Sequence, residues 1–258
     1  MQLAGKVALV TGASQPRSIG WGIARVLALA GADVVLNDAY HPEDLAARAE
    51  ALKALGRRAL ALVADVSDDA QVARMIARVL AELGRLDIAV SNAGVIAWER
   101  LFDMTPENTR RILRVNILGM VNVCRQAARA MVAQGAGGRL ILVSSVQSDV
   151  QFPITPVYGA SKHAMHNLVG SLALELAPHH ITVNHIGPGW VRSPLNDRAP
   201  DQQTPEDIAA QRAAVPLGRA GLIEEMGEAV KYLASPEAAY VTGAFLRVDG
   251  GLGISKYN

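Results

Sequence analysis

Cysteine occurs once in the 258 residues, at Cys124. No internal disulfide can form, and a chain without that staple suits a reducing compartment. Cys124 lies in a helical pattern, where it reads as core rather than nucleophile. Long hydrophobic runs are also missing, since none approaches the roughly eighteen residues a membrane span needs. Met1 to Val10 leads into a glycine loop instead of a cleavage site, so the expected location is cytoplasmic, with no membrane partner. Neither charge sign is in excess: 25 Lys and Arg face 24 Asp and Glu, a net charge of +1. Such a balance offers no general field for nucleic acid. Among the six histidines (His41, His163, His166, His179, His180, His185) there is no HExxH or Cys/His spacing. His163 and His166 could share a helix face, but no third ligand is evident and no metal site is expected.

What the sequence does hold is an alternation. Short β-branched runs take turns with longer segments of helical period, the pattern of a parallel sheet covered on both faces. Strands are expected at Val7–Thr11, Asp33–Asn37, Ala59–Val63, Ile88–Ser91, Arg139–Val143, Thr182–Ile186 and Ala244–Val248. Helices are expected at Ile19–Ala30, Pro42–Leu55, Asp68–Leu83, Pro106–Ala133, Val157–Leu176 and Glu224–Ala234. Thr105 followed by Pro106 marks a clean helix start. With 50% hydrophobic residues and no repeat or linker, the economical reading is one α/β domain over residues 1–258.

Three residues converge on proton-transfer chemistry. Tyr158 and Lys162 stand four apart on one helix face, and Ser145 ends the strand before that helix. A free phenol, with a pKa of about 10, is a poor base at neutral pH. A neighbouring ammonium favours the phenolate, and Ser145 would donate to a substrate oxygen and steady its developing charge. A Tyr-x-x-x-Lys pair also arises by chance, with the tyrosine packed and the lysine solvated, so its surroundings decide.

Those surroundings point to a dinucleotide. The first strand runs into Thr11-Gly12-Ala13-Ser14-Gln15-Pro16-Arg17-Ser18-Ile19-Gly20 before a helix, a turn whose glycines let backbone N–H groups approach a pyrophosphate. A Rossmann-type doubly wound sheet of about seven parallel strands follows from this turn and the alternation together. The second strand ends in Asp38, which can accept from an adenosine ribose and would repel a 2′-phosphate, favouring NAD over NADP. Arg17 is the counter-signal, since it could pair with that phosphate or simply be solvated. Asp65 and Val66 could meet adenine, or Asp65 could cap the next helix. Asn92-Ala93-Gly94 would let the backbone approach a ribose. Asn116 sits mid-helix, where its amide needs a partner, in either a structural network or the catalytic apparatus. The break at Gly187-Pro188-Gly189-Trp190-Val191-Arg192-Ser193 falls at a strand's carboxyl end, the ligand edge of such sheets. Its cofactor-side candidates are Pro188, Gly189, Val191 and Ser193, and residues 189–220 are expected to form a substrate lid. Pocket-wall candidates are Trp98, Gln147, Phe152, Trp190 and Asn196.

Taken in order, these residues resemble the classical short-chain dehydrogenase/reductase family over essentially the whole chain. The resemblance rests on Thr11-Gly12 with Gly20, Asn92-Ala93-Gly94, Asn116, Ser145, Tyr158-x-x-x-Lys162, Pro188-Gly189 and Asp249-Gly250-Gly251. It implies a catalytic set of Ser145, Tyr158 and Lys162, with Asn116 holding a water between Lys162 and solvent. It also implies a nicotinamide cofactor held by Gly12, Ser14, Arg17, Ser18, Ile19 and Gly20 among others, a small alcohol or carbonyl substrate, and a homotetramer. One departure stands out: Gln15-Pro16-Arg17 lengthens the turn and Ser18 replaces the family's middle glycine. A similar serine occurs in the enoyl reductase branch, whose tyrosine–lysine spacing differs. Within the family, Leu172–Pro178 and Asn184–Gly189 look most like glucose 1-dehydrogenases and related sugar or polyol dehydrogenases. A 3-oxoacyl-carrier-protein reductase is the alternative substrate reading. A nucleotide-binding sensor without turnover is the alternative of another class.

Overall fold

The computed structural model describes residues 2–195 and 204–255. Seven strands form one sheet: β1 (Val7–Thr11), β2 (Asp33–Asp38), β3 (Ala59–Val63), β4 (Ile88–Ser91), β5 (Gly138–Val143), β6 (Ile181–Pro188) and β7 (Phe245–Val248). Their order is β3-β2-β1-β4-β5-β6-β7, and every neighbouring pair is parallel. The chain therefore winds outward from β1 to β3, then returns to lay β4 on the other side of β1. At that reversal the connecting segments part, opening a crevice beyond the strands' carboxyl ends.

Burial on both faces explains the β-branched, near-continuous apolar strands. In β1, Val7 and Leu9 pack with α3 (Asp69–Leu83), α5 (Met120–Gln134) and α6 (Pro156–Leu176), through residues such as Val79, Met131 and Val169. Ala8 and Val10 face the other layer, where α1 (Ile19–Leu29), α2 (Pro42–Lys53) and α8 (Ile223–Ala234) contribute Ile23, Leu45 and Val230. Alternate residues of one strand thus serve two cores. Among the described residues no helix is long and apolar enough to cross a membrane.

Helix starts follow the expected capping chemistry. The Thr105 hydroxyl accepts from the Asn108 N–H at 3.1 Å ahead of α4 (Pro106–Ile112). Asp68, not Asp65, caps α3, accepting from the N–H groups of Ala70 and Gln71. Two departures concern function. The helix expected unbroken over Pro106–Ala133 is interrupted by a π-helical stretch, Leu113–Gly119, between α4 and α5. Asn116 lies in this widened stretch, and Gly119 is pressed so closely on β3's outgoing loop that a β-carbon there would meet Val66 Cγ2 at 2.6 Å. The second departure is α7 (Pro205–Ala214), a helix within the expected lid, opened by a capping box in which Thr204 and Asp207 bond each other's backbone. A last short helix, α9 (Leu252–Ser255), follows β7.

The β1–β4 seam is pinned from its rear by Asp87, which is 4% exposed. Its carboxylate accepts from the Val7 N–H at 2.9 Å, from both arms of Arg85 at 2.7 and 2.6 Å, and from Lys6 at 3.3 Å. Burial alone would raise its pKa, but the Arg85 fork, the Val7 N–H and Lys6 outweigh burial and hold the carboxyl below 3.8. A carboxyl depressed in the folded state contributes stability above its unfolded pKa and loses it as pH falls through the folded value. Asp87→Asn should therefore cost about 3 kcal/mol at pH 7. Urea unfolding of parent and variant at neutral and acid pH checks this; the gap should shrink at acid pH, and an unchanged gap would remove the charge from the explanation.

Candidate active site

The crevice at the chain reversal is a cavity of about 540 Å³. On one side lie Gly12, Ser18, Ile19, Asp38, Asp65, Val66, Asn92, Ala93 and Gly94, and on the other Ser145, Tyr158, Lys162, Pro188, Gly189 and Ser193. Tight backbone contact makes its floor. Gly12 has φ +68, and a β-carbon on Gly20 would meet the Gly12 carbonyl oxygen at 2.3 Å, so the start of α1 sits directly on the β1 turn. That cradle fits a pyrophosphate at a helix N-terminus.

Of the candidates, Ser14, Arg17, Gly20, Asn116 and Val191 lie off the cavity wall, and several wall residues are held by neighbours. Ser18 needs no glycine's freedom, because its backbone is extended (φ −75, ψ 150) and its side chain caps α1, accepting from the Trp21 N–H. The substitution is thus absorbed as a helix cap. Ser14 donates its hydroxyl to Asp38 Oδ2 at 2.8 Å and its N–H to the same oxygen at 3.2 Å, fixing the acid at the end of β2. Arg17 is exposed on the turn and Val191 is buried beside Gly221. Asn92 spends its amide on the carbonyl oxygens of Thr11 (2.8 Å) and Gly12 (3.1 Å), tying β4 to the β1 turn. Asp65 lines the cavity, with Oδ1 accepting from the Ser67 N–H at 2.8 Å.

Ser145, Tyr158 and Lys162 are all buried and meet on one wall. The Ser144 hydroxyl donates to the Lys162 carbonyl oxygen at 3.1 Å, locking the end of β5 to α6. Lys162 Nζ donates to the Val143 carbonyl oxygen at 2.9 Å and lies 5.6 Å from the Tyr158 ring centre. Asn116 is fully buried and its side chain is held in a hydrogen-bond network. Oδ1 accepts from the Val95 N–H at 2.8 Å, and Nδ2 donates to the Val95 carbonyl and the Ser161 hydroxyl, both at 3.0 Å. Ser161 in turn donates to the Tyr158 carbonyl oxygen at 2.7 Å, so Asn116 braces the turn that carries the phenol.

The electrostatics differ from the expectation that Lys162 lowers the tyrosine. Burial pushes the Tyr158 phenol up to about 12, opposed only by its hydrogen bond with Ser145. Burial also pushes Lys162 down to about 8. The ammonium points at Val143 rather than at the phenol, and desolvation of both groups dominates their mutual effect.

Around this wall stand Gln147, Phe152, Trp190 and Trp98, joined by Ile154, Leu195, Gln211 and Leu252, which no sequence motif marks. Gln211 lies on α7, whose start was legible in Thr204-Pro205-Glu206-Asp207 but hidden by the surrounding proline and charge. Thr155 donates to Gln147 Oε1 at 2.6 Å, which leaves the amide nitrogen as the group able to donate to a substrate oxygen. Asn196 lies outside the described residues, as do residues 197–203 of the expected lid.

Comparison with known proteins agrees with this architecture. A family model described as enoyl-(acyl carrier protein) reductase matches residues 12–253. A short-chain dehydrogenase/reductase of Armillaria gallica is 40% identical over 252 residues, covering 96% of each chain. An L-rhamnose 1-dehydrogenase (NAD(P)(+)) of a Sphingomonas species is 37% identical over 251 residues, covering 97% of each. Among solved structures, a gluconate 5-dehydrogenase of Burkholderia cenocepacia, in complex with NADP and tartrate, superposes with a TM-score of 0.91 at 35% identity, over 97% of this chain and 96% of that one. With its strand order, its crevice and these relatives, the chain belongs to the short-chain dehydrogenase/reductase family of nicotinamide-dependent oxidoreductases.

Proposed function

We propose that the protein transfers a hydride between NAD, in preference to NADP, and a secondary alcohol or its carbonyl, a sugar or polyol foremost. The observation that carries this reading is the buried meeting of Ser145, Tyr158 and Lys162 on the wall of a cavity whose other half suits a dinucleotide. When bound, the dinucleotide supplies the hydride acceptor or donor. Tyr158 takes the alcohol proton in oxidation and returns it in reduction. Ser145 donates to the substrate oxygen, and its hydroxyl is already oriented by the Gln147 N–H at 3.1 Å. Lys162 keeps a positive charge near the phenol. A nearby positive charge favours the phenolate, although desolvation outweighs Lys162 in the free protein.

The cofactor preference is supported by Asp38, whose carboxylate is held in place by Ser14 and by the Ala39 N–H at 2.9 Å. A fixed negative charge there opposes a 2′-phosphate. The sugar or polyol reading rests on the family resemblance and on the hydrogen-bonding Gln147. A second reading, a carbonyl compound with an apolar body, is favoured by Phe152, Ile154, Trp190 and Leu195 on the same walls. Residues 189–220 serve as the lid in this proposal, with Gln211 and Ala214 of α7 on the cavity wall.

Tyr158→Phe should lower kcat by at least about 100-fold with dinucleotide affinity unchanged. Steady-state rates on a panel of aldoses, polyols and apolar ketones, with fluorescence titration of the dinucleotide, check this. Equal rates in variant and parent would remove the mechanism, and binding without turnover on any substrate would favour a sensor. Asp38→Ser should raise kcat/KM with NADP relative to NAD by about tenfold or more. A parent enzyme that already uses NADP as well as NAD would overturn the role given to Asp38.

A further inference from the structure

A second cluster of ionisable side chains lies close to the catalytic wall but lines no part of the cavity. We propose that Asp149, His163 and His166 bind one divalent transition-metal ion of the zinc or cobalt class. One ligand atom from each residue lies within 4.8 Å of the other two. The third ligand, invisible from the His163/His166 spacing alone, is Asp149, which arrives from the loop after Ser145. Two imidazoles and a carboxylate are a three-ligand set that leaves a fourth tetrahedral position open.

The local bonding prepares the donors. His163 donates Nδ1–H to the Ser148 carbonyl oxygen at 2.6 Å, which leaves its Nε2 carrying the lone pair. Arg247 engages Asp149 through Oδ2, with Nε at 3.1 Å, and so leaves Oδ1 to the histidines. His166 Nε2 stands 3.4 Å from that Oδ1, buried and without a completed hydrogen bond. Behind it, edge-on at 4.5 Å between ring centres, lies His185 of β6. His185 is 1% exposed, neither ring nitrogen has a hydrogen-bond partner, and its ring stacks on Phe245 at 4.6 Å. Unpartnered buried polar atoms are costly and call for an explanation. Only a neutral imidazole ligates a metal ion. The nearby Arg247 cation opposes the ion and limits its affinity, but its side chain is 45% exposed and can turn to solvent.

Such an ion would bridge two parts of the catalytic wall. Asp149 follows Ser145 across the short turn Val146–Ser148, and His163 follows Lys162 on α6. A metal there ties the serine loop to the helix that carries Tyr158 and Lys162.

Titration of the purified protein with Co²⁺, followed by visible absorption, tests the site. The expected result is the intense d–d bands of tetrahedral cobalt, saturating at one equivalent and displaced by Zn²⁺. In His163→Gln, His166→Gln and Asp149→Asn the affinity should fall by about tenfold or more. The control His179→Gln, at an exposed histidine elsewhere, should bind as the parent does. A spectrum that remains that of hydrated cobalt in the parent, or bands undiminished in any of the three ligand variants, would overturn the site. His163 is exposed, so its replacement leaves the fold intact and keeps the test decisive if the other variants do not fold.

Discussion

The proposed chemistry of this protein depends on burying an ammonium and a phenol in the same dry wall. Lys162 is 3% exposed and Tyr158 5%, and each is moved by desolvation toward its neutral form. A buried charge survives only with partners, and the hydrogen-bond acceptor Lys162 finds is the carbonyl oxygen of Val143, at the carboxyl end of β5. Burial thus favours the protonated phenol in the free protein. In the proposed relay its protonation would respond to charge that enters the cavity.

Everything around the pair serves to hold it at the chain reversal. The Asn92 amide staples β4 to the β1 turn, Asp87 pins the same seam from behind, and Ser144 ties β5 to α6. The π-helical stretch lets one asparagine, Asn116, join the loop after β4 to Ser161 and through it to the Tyr158 turn. The proposed dinucleotide cradle and proton relay are thus parts of one hydrogen-bonded frame. Rigid support of this kind keeps reacting groups in register, where small displacements are expensive in rate.

Much of this was legible in the sequence, for reasons of periodicity. Strands buried on both faces and amphipathic helices announce themselves locally, which is why all seven strands stand within a residue or two of their expected positions. The Ser145, Tyr158 and Lys162 set was legible because helix spacing and a strand end are local facts. What escaped was set by contacts distant in sequence. The π-helical turn is in contact with Val95, Ser161 and Val66, distant neighbours that no local pattern reveals. Ser18 stands where the family has a glycine, and its role as helix cap depends on a turn conformation that the sequence does not spell out. The direction of the Tyr158 shift depends on how dry the wall is and on where the Lys162 ammonium points, neither of which is written in the spacing.

The most direct test is the ionisation of Tyr158 itself. Phenolate absorbance of the parent minus that of Tyr158→Phe, followed against pH, isolates this one group. In the free protein the difference signal should rise only well above pH 10, the ordinary value, toward about 12, and saturating NAD should move it to lower pH. A signal that titrates at or below the ordinary value in the free protein, and does not move when NAD is added, would contradict the claim that burial favours the protonated phenol.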